Sequence, residues 1–309
     1  MSDVIVGGAG FVGRNLARRL TAQDRELIVI DRRPDATGTL SCTFIQGDAQ
    51  DAAWLTKVLG DLEVDDLYHL AASSDIAAGI ADASLDFGDT LMTTAAVRHA
   101  LVHVPVRRVV FASSSAIFGV SDQPLAEELD RAPAPVSWYG KAKLASEYVL
   151  ESLAAARPGL PILVVRFPNV VGPLATHGVV FDFVRKLRQD PARLQVLGDG
   201  RQTKPYVHVS ELLDGIGFFL DRALPGVTRV NIGPPDQVDV RTIAAEVCAA
   251  LHLEPEVAFE DSPFGWPGDV PRYAFDTTRM RSAGFGIETT SRAAVRRAAE
   301  EIAEEWPAR

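Results

Sequence analysis

A phenol and an ammonium stand four residues apart in Tyr139-Gly140-Lys141-Ala142-Lys143, a spacing that puts both on one face of any helix formed there. A phenol of ordinary pKa, near 10, is a poor base at neutral pH, but a nearby cation favours its ionised form and makes it a usable general base. Taken alone, Tyr-x-x-x-Lys equally describes an exposed helix pair. Ser113-Ser114-Ser115 sharpens it, because these hydroxyls follow the apolar run 108–112. If that run is a strand of an open α/β sheet, the serines sit at its C-terminal edge, where such folds bind ligands. One hydroxyl there suffices to hydrogen-bond an alcohol oxygen as it is oxidised.

An acceptor for the electrons is implied at the other end of the chain. Gly7-x-x-Gly10-x-x-Gly13 follows the first apolar run and opens the first helical pattern, the context that makes this spacing informative. Gly7 permits the tight turn, Gly10 lets the backbone approach a pyrophosphate and Gly13 allows close helix packing, while the free N–H groups of the helix start hold negative charge. Asp31 ends the second apolar run, where a carboxylate accepts hydrogen bonds from an adenosine ribose and repels a 2′-phosphate. NAD is therefore favoured over NADP, although Arg32 and Arg33 come next and soften that choice. Asp48 in Gly47-Asp48-Ala49 either reaches the adenine or simply caps the following helix. The positive nicotinamide of bound NAD would be a second charge favouring the phenolate.

The elements that must position these groups alternate in period. Residues 3–7, 26–31, 43–45, 66–70, 108–112 and 161–166 read as strands; 11–21, 51–59, 84–103 and 137–156 read as helices. Alternation of this kind predicts a Rossmann-type, doubly wound parallel sheet covered on both faces. Beyond Phe167, prolines and glycines cut the chain into short pieces around a helix at 179–188, and helices follow at 210–222, 240–252 and 292–304. The division expected is a dinucleotide-binding domain of 1–167 plus about 207–230. A smaller C-terminal α/β substrate-binding domain takes 168–206 and about 231–309.

Composition narrows the partners. The 309 residues are 47% hydrophobic, and Lys+Arg 31 against Asp+Glu 41 gives a net charge of -10, which argues against a general grip on nucleic acid or an anionic membrane. Cys42 and Cys248 are too few for a disulfide framework or a cysteine metal cluster. With no leader-like or spanning run in the sequence, a cytoplasmic setting and no metal are expected.

Taken together, the motifs resemble the extended short-chain dehydrogenase/reductases, the NAD-dependent epimerase/dehydratase family, and most of all its UDP-glucose (galactose) 4-epimerases. The matching stretches are 7–13, His69-Leu70-Ala71-Ala72, 111–119, 139–143, Arg166-Phe167-Pro168-Asn169-Val170-Val171-Gly172-Pro173, Leu197-Gly198-Asp199-Gly200 and Trp266-Pro267-Gly268-Asp269-Val270. The resemblance implies that Tyr139 is the base, that Lys143 binds the nicotinamide ribose and tunes the tyrosine, and that Ser114 contacts the sugar 4-hydroxyl. It implies NAD contacts from Gly7, Gly10, Phe11, Val12, Gly13, Asp31, Arg32, Asp48, Ala49, Leu70, Ala71, Ala72, Ala112, Ser113 and Phe167. Substrate contacts are implied from Ser114, Ser115, Asn169, His177, Val196, Lys204, Tyr206, Asp269 and Tyr273, with Asn169 at the nucleotide diphosphate of a UDP-sugar. A homodimer through a four-helix contact also follows from the resemblance.

Departures from the family pattern bear on the reaction. Dehydratases carry an Asp-Glu pair directly after the catalytic hydroxyl residue and decarboxylases a Glu two places on; here Ser115 and Ala116 stand there, so plain 4-epimerisation through a 4-keto sugar is the economical expectation. A dehydratase or reductase on a modified sugar nucleotide, or a non-catalytic NAD-binding regulator, are the competing expectations. Phe118 replaces a usual Tyr. Asp89 falls near a usual Asn said to steady the helix beneath the site. Lys204 stands for an Arg and offers a point charge where relatives have a fork. Trp266 stands for another Arg, leaving Arg201 or Arg272 to help balance phosphate. Tyr273 resembles the bulky position that narrows the pocket against 2-acetamido sugars, and Asp182 joins His177 as a candidate hexose contact.

Overall fold

The computed structural model describes residues 1–34, 42–73, 76–121, 123–127, 133–265 and 270–306. They form two compact units. The first comprises Met1–Ile117, Ser137–Arg166 and Gly215–Val230, and the second Phe118–Val136, Phe167–Asp214 and Asn231–Arg309. The segment Phe118–Val136, left with the dinucleotide-binding part by the sequence division, packs with the second unit. The reason is local: Leu125, Tyr273 and Phe275 share a small apolar cluster with Phe118 and Val270.

The first unit runs β1 (Ser2–Val6), α1 (Phe11–Ala22), β2 (Leu27–Asp31), β3 (Thr43–Gln46), α2 (Ala52–Gly60), β4 (Val64–His69), α3 (Ile76–Ala81) and α4 (Ala83–Asp86). It continues through a π-helical stretch, Phe87–Met92, into α5 (Thr93–His103), then β5 (Val106–Ala112), α6 (Trp138–Ala156) and β6 (Pro161–Arg166). With a late strand, Gly226–Asn231, beside β6, the sheet has seven strands, the other six in the order β6-β5-β4-β1-β2-β3. Registers from β3 to β6 are all parallel. The chain leaves β1 toward β2 on one side and returns to β4 on the other, so the strand order reverses there and a crevice opens at the C-terminal ends.

Covering on both faces explains the uninterrupted apolar runs. All five residues of β1 and of β2 are buried. On one face Val4, Val6, Ile28, Ile30, Leu67, Val109, Phe111, Ile162 and Val164 pack with Leu55 and Leu59 of α2, Val97 and Leu101 of α5, and Leu150 and Leu153 of α6. Side chains of opposite parity, such as Ile5, Val29, Val110 and Leu163, are buried as well, as period two requires of a sheet with two covers.

One element differs in kind from its expectation. The single helix expected at 84–103 is interrupted by the π-helical stretch, where the Thr93 N–H reaches back five residues to Gly88 O. Gly88 removes helix propensity at that point, and Thr94 Oγ1 donates to Thr90 O at 2.7 Å, so threonine hydroxyls compete for the helix carbonyls. Such widened turns recur at functional sites.

The second unit contains β7 (Asn169–Val171), α7 (Val179–Gln189), β8 (Arg193–Val196), β9 (Thr203–Lys204), β10 (Tyr206–His208) and the start of α8 (Val209–Leu220). After the late strand, β11 (Gly226–Asn231), come β12 (Val238–Asp239), α9 (Val240–Ala250), β13 (Glu256–Phe259), α10 (Thr278–Ser282) and α11 (Ser291–Glu305). Among the described residues its strands pair in twos, β7 with β10, β9 with β12 and β8 with β13. The core is mostly helical. Val180, Phe183, Val184 and Leu187 of α7 meet Ile243 and Val247 of α9 and Val295, Ala298 and Ile302 of α11, each set at the 3.6-residue spacing of an amphipathic helix. Among the described residues no helix is long and apolar enough to cross a membrane.

His69, the last residue of β4, carries a pH signature. Its Nε2 lies 2.8 Å from Thr94 Oγ1, and because that hydroxyl already donates to Thr90 O, the ring nitrogen is the donor. Nδ1 has no partner. Burial, with a smaller push from the Lys143 charge, lowers its pKa from 6.5 to about 3. The native state therefore resists the protonation that the unfolded chain accepts, and the stability gained above pH 6.5 is lost as pH falls toward 3. Thermal melts across this range should show His69→Gln with a shallower acid decline than the wild type; parallel declines would remove His69 from the acid response.

Candidate active site

The glycine turn has the shape its spacing anticipates. Gly7 has φ +89°, and a Cβ there would lie 2.4 Å from the Ala71 backbone nitrogen. A Cβ on Gly13 would meet Gly7 O and Gly8 Cα at 2.7 Å, so α1 starts in direct contact with the turn. Gly8, which the spacing did not single out, is as tightly placed, with Val29 Cγ1 2.5 Å from its would-be Cβ. Gly10 is the N-cap of α1, which carries neither a side-chain cap nor an acidic residue in its first turn. The N–H groups of Phe11 and Val12 thus start a helix whose positive end is left for an anion. The Leu70 and Ala71 N–H groups both bond Val6 O, at 2.8 and 2.9 Å, closing β4 against the turn. Ala72 follows, partly buried.

At the end of β2, Asp31 Oδ2 accepts the Ala9 N–H at 2.9 Å. The capping alternative for Asp48 is corrected: Asp51 caps α2 by accepting the Trp54 N–H at 3.0 Å, whereas Asp48 Oδ1 accepts from the Gln50 N–H and Ala49 lies in the core beside it. Asp89 also departs from its expected place beneath the active site. It pairs with Arg32 at the end of β2. The acid whose charge reaches Tyr139 is Asp86, one turn earlier and buried.

Tyr139, Lys143 and Ser114 are brought together. α6 begins at Trp138 under a Ser137 cap that accepts the Gly140 N–H, which places Tyr139 in its first turn, where Ser114 acts on its phenol. Ser114 follows β5 and its Oγ also accepts the Ala116 N–H at 3.1 Å; Ser115 opens the short 3-10 turn beyond it. Lys143 is only 2% exposed, its Nζ 5.8 Å from the Tyr139 ring centroid and 2.5 Å from Ala112 O.

Burial pushes the Tyr139 phenol up to about 12, outweighing the influence of Ser114 that lowers it, with Asp86 adding to the rise. Burial also pulls the Lys143 amine down to about 7 against the Glu147 charge that raises it. A positive charge beside the phenol acts in the opposite direction, toward the phenolate.

Glu147 escaped the sequence reading, although it sits four residues beyond Lys143 and thus on the same buried face. Its carboxylate accepts from Ser113 Oγ at 2.5 Å, from Arg166 Nε at 3.0 Å and Nη2 at 2.7 Å, and from Arg229 Nε at 3.0 Å. Ser113 is thereby wholly buried. Its hydroxyl anchors the strand end while Ser114, its neighbour, faces the tyrosine. Because the Arg166 guanidinium and the two other donors stabilise the anion, the Glu147 carboxyl is held below its usual range despite burial.

The remaining expected residues lie in the second unit and are described within it. Phe167 follows β6. Asn169 Nδ2 lies 3.4 Å from both Pro205 O and Tyr273 Oη, so Asn169 and Tyr273 do come together. Lys204 is buried in β9. Val196 and Tyr206 are core side chains, leaving chiefly their backbones to face a ligand. His177 is exposed and bonded to Thr176, and Asp182 pairs with Arg185 on the surface of α7. Asp269 and Trp266 fall outside the described residues.

Residues 4–233 match the model of the NAD dependent epimerase/dehydratase family. The chain belongs to that family. Its NAD dependence agrees with the glycine turn and Asp31, and the resemblance read from the motifs is borne out with it. A UDP-glucose 4-epimerase of Streptomyces lividans is 29% identical over 280 residues, covering 82% of each chain. A UDP-N-acetyl-alpha-D-glucosaminuronate decarboxylase of Bacillus cytotoxicus is 26% identical over 299 residues, covering 90% of each. The crystal structure of a UDP-galactose 4-epimerase superposes with a TM-score of 0.85 at 30% identity, over 99% of this chain and 100% of the other. The family member is thus an α/β enzyme of nucleotide-sugar chemistry.

The buried carboxylate gives a direct test of this geometry. Glu147→Gln breaks the buried pair with Arg166 while Arg229 keeps its pair with Glu151, and breaking the buried pair costs about 3–5 kcal/mol, read as a lower urea midpoint at unchanged m-value. A loss below about 1 kcal/mol would mean that the cluster does not hold α6 to β5.

Proposed function

We propose that the protein is an NAD-dependent nucleotide-sugar 4-epimerase that interconverts UDP-glucose and UDP-galactose through a 4-keto sugar. The observation that carries this reading is the placement of Tyr139 and Lys143 on one helix face, the Lys143 Nζ 5.8 Å from the Tyr139 ring, with Ser114 acting on the phenol, in a chain with Ser115 and Ala116 where an elimination or decarboxylation acid would stand. Relatives named as epimerases support it.

In this reading Ser114 holds the sugar 4-hydroxyl and Tyr139 removes its proton as the carbon–oxygen double bond forms at carbon 4. Bound NAD would supply the hydride chemistry at carbon 4. Turnover of the 4-keto sugar inverts that carbon, and Tyr139 gives its proton back to the oxygen. Cofactor and protein end each cycle unchanged. The glycine turn, the uncapped start of α1 and Asp31 are assigned to the dinucleotide, as are Phe11, Val12, Ala72, Ala112, Phe167 and the carbonyl-bound Lys143. Asn169 and Lys204 are assigned to the diphosphate, and Tyr206, Tyr273, Val196, His177 and Asp269 to the remainder of the UDP-sugar. A cytoplasmic homodimer joined through α5 and α6 completes the proposal; Met92 and Tyr148 are 55% exposed, and light scattering reads the mass.

Tyr139→Phe should keep NAD but lose turnover by about two to four orders of magnitude, since it removes the base and spares the turn. Unchanged turnover would take Tyr139 out of the reaction. Incubation with UDP-, dTDP-, GDP- and CDP-sugars in deuterated water, followed by NMR, should give a 4-epimer without deuterium at carbon 4. A deoxy-keto product, a lost carboxyl group or a stable reduced sugar would replace epimerisation by the corresponding family reaction.

A further inference from the structure

Asp31 is followed by two arginines, the residues best able to grip a phosphate with two parallel hydrogen bonds. A carboxylate at the end of β2 does not by itself settle the choice between NAD and NADP when two guanidiniums stand next to it. The structure shows both of them engaged elsewhere. Arg33 folds back over Asp31, its N–H 2.9 Å and its Nε 3.3 Å from Oδ1. Arg32 turns away and meets Asp89 fork to fork, Nη1 to Oδ1 at 2.6 Å and Nη2 to Oδ2 at 2.5 Å.

Asp89 is itself held. Gln50 Nε2 donates to its Oδ1 at 3.1 Å, and Gln46 Nε2 donates to the Arg32 carbonyl at 3.1 Å. The end of β2, the turn after β3 and the π-helical stretch after β4 are thereby joined by side chains. Asp89, Asp48 and Asp31 all act on the Arg32 charge, so three carboxylates stand around it.

We propose that Asp89 is a cofactor-specificity residue: by holding Arg32 in a bidentate pair it withholds the cation that a ribose 2′-phosphate would need, and it sets the preference for NAD over NADP. The inference rests on the family's NAD dependence and on the placement of the adenosine ribose at Asp31, not on the identity of the sugar. A 2′-phosphate adds about two negative charges. For Arg32 to meet it, the Asp89 pair must break, leaving that carboxylate uncompensated beside an added dianion. Replacing Asp89 by a neutral residue removes one repulsive charge and frees one guanidinium at once.

The test is equilibrium dialysis of each variant against equal concentrations of NAD⁺ and NADP⁺, with bound nucleotide identified after denaturation. In Asp89→Asn and Asp89→Ala the bound NAD-to-NADP ratio should fall about tenfold or more. In Asp89→Ala combined with Arg32→Ala the ratio should return toward the wild-type value, because the guanidinium that Asp89 held is then gone and Arg33 stays folded over Asp31. Ratios within twofold of wild type in both single variants would overturn the proposal. So would a double variant that keeps the lowered ratio, or single variants that lose both nucleotides alike, which would make Asp89 a structural residue only.

Discussion

A single carboxylate, buried and fully engaged, holds the candidate catalytic groups in register. Glu147 lies on α6 with Tyr139 and Lys143, and it ties that helix to β5 through Ser113, to β6 through Arg166 and to β11 through Arg229. Lys143 adds a fourth tie through the Ala112 carbonyl. The Ala112–Ser113 unit is thus gripped twice by consecutive turns of one helix, and Ser114, the next residue, has little freedom except to face Tyr139. An ion pair of this kind contributes less to net stability than to definition, since an apolar substitute of similar volume is often as stable. What such a substitute would lack is direction.

Fixing the groups in a buried place has an electrostatic consequence. The phenol holds its proton more tightly than in water and the amine holds its own more loosely, so the resting pair is poised against proton removal. In the proposed reaction, a positive charge beside the phenol would offset this, and the oxidised cofactor is the group proposed to bring it. Idle deprotonation in an empty site is disfavoured by the same burial.

Much of this was legible before any coordinates. The glycine spacing and the apolar runs carried β1, α1 and β2 because tight turns and two-sided burial leave strong local marks. Tyr139 and Lys143 were legible from their four-residue spacing, and Ser114 from its place after an apolar strand. The residues that were not legible act through distant partners. Nothing in the sequence pairs Arg32 with Asp89, 57 positions on, or tells that Glu147 rather than Glu151 is the buried one. The π-helical stretch escaped as well, since residues 84–103 keep an acceptable helical pattern while one turn is wider. The second unit was least readable, its paired strands being two to four residues long, too short for a period to declare itself.

That widened turn makes the region unusually sensitive to chain length. A π turn accommodates one residue beyond the regular helical count, so deleting a residue between Phe87 and Met92 would let the helix close into ordinary geometry. The flanking turns would keep nearly the same phase, because the wider turn had absorbed the extra residue, but the residues within it, Asp89 among them, would be re-aimed by up to one helical step of about 100°. Length at this point is as much a part of the active-site specification as composition.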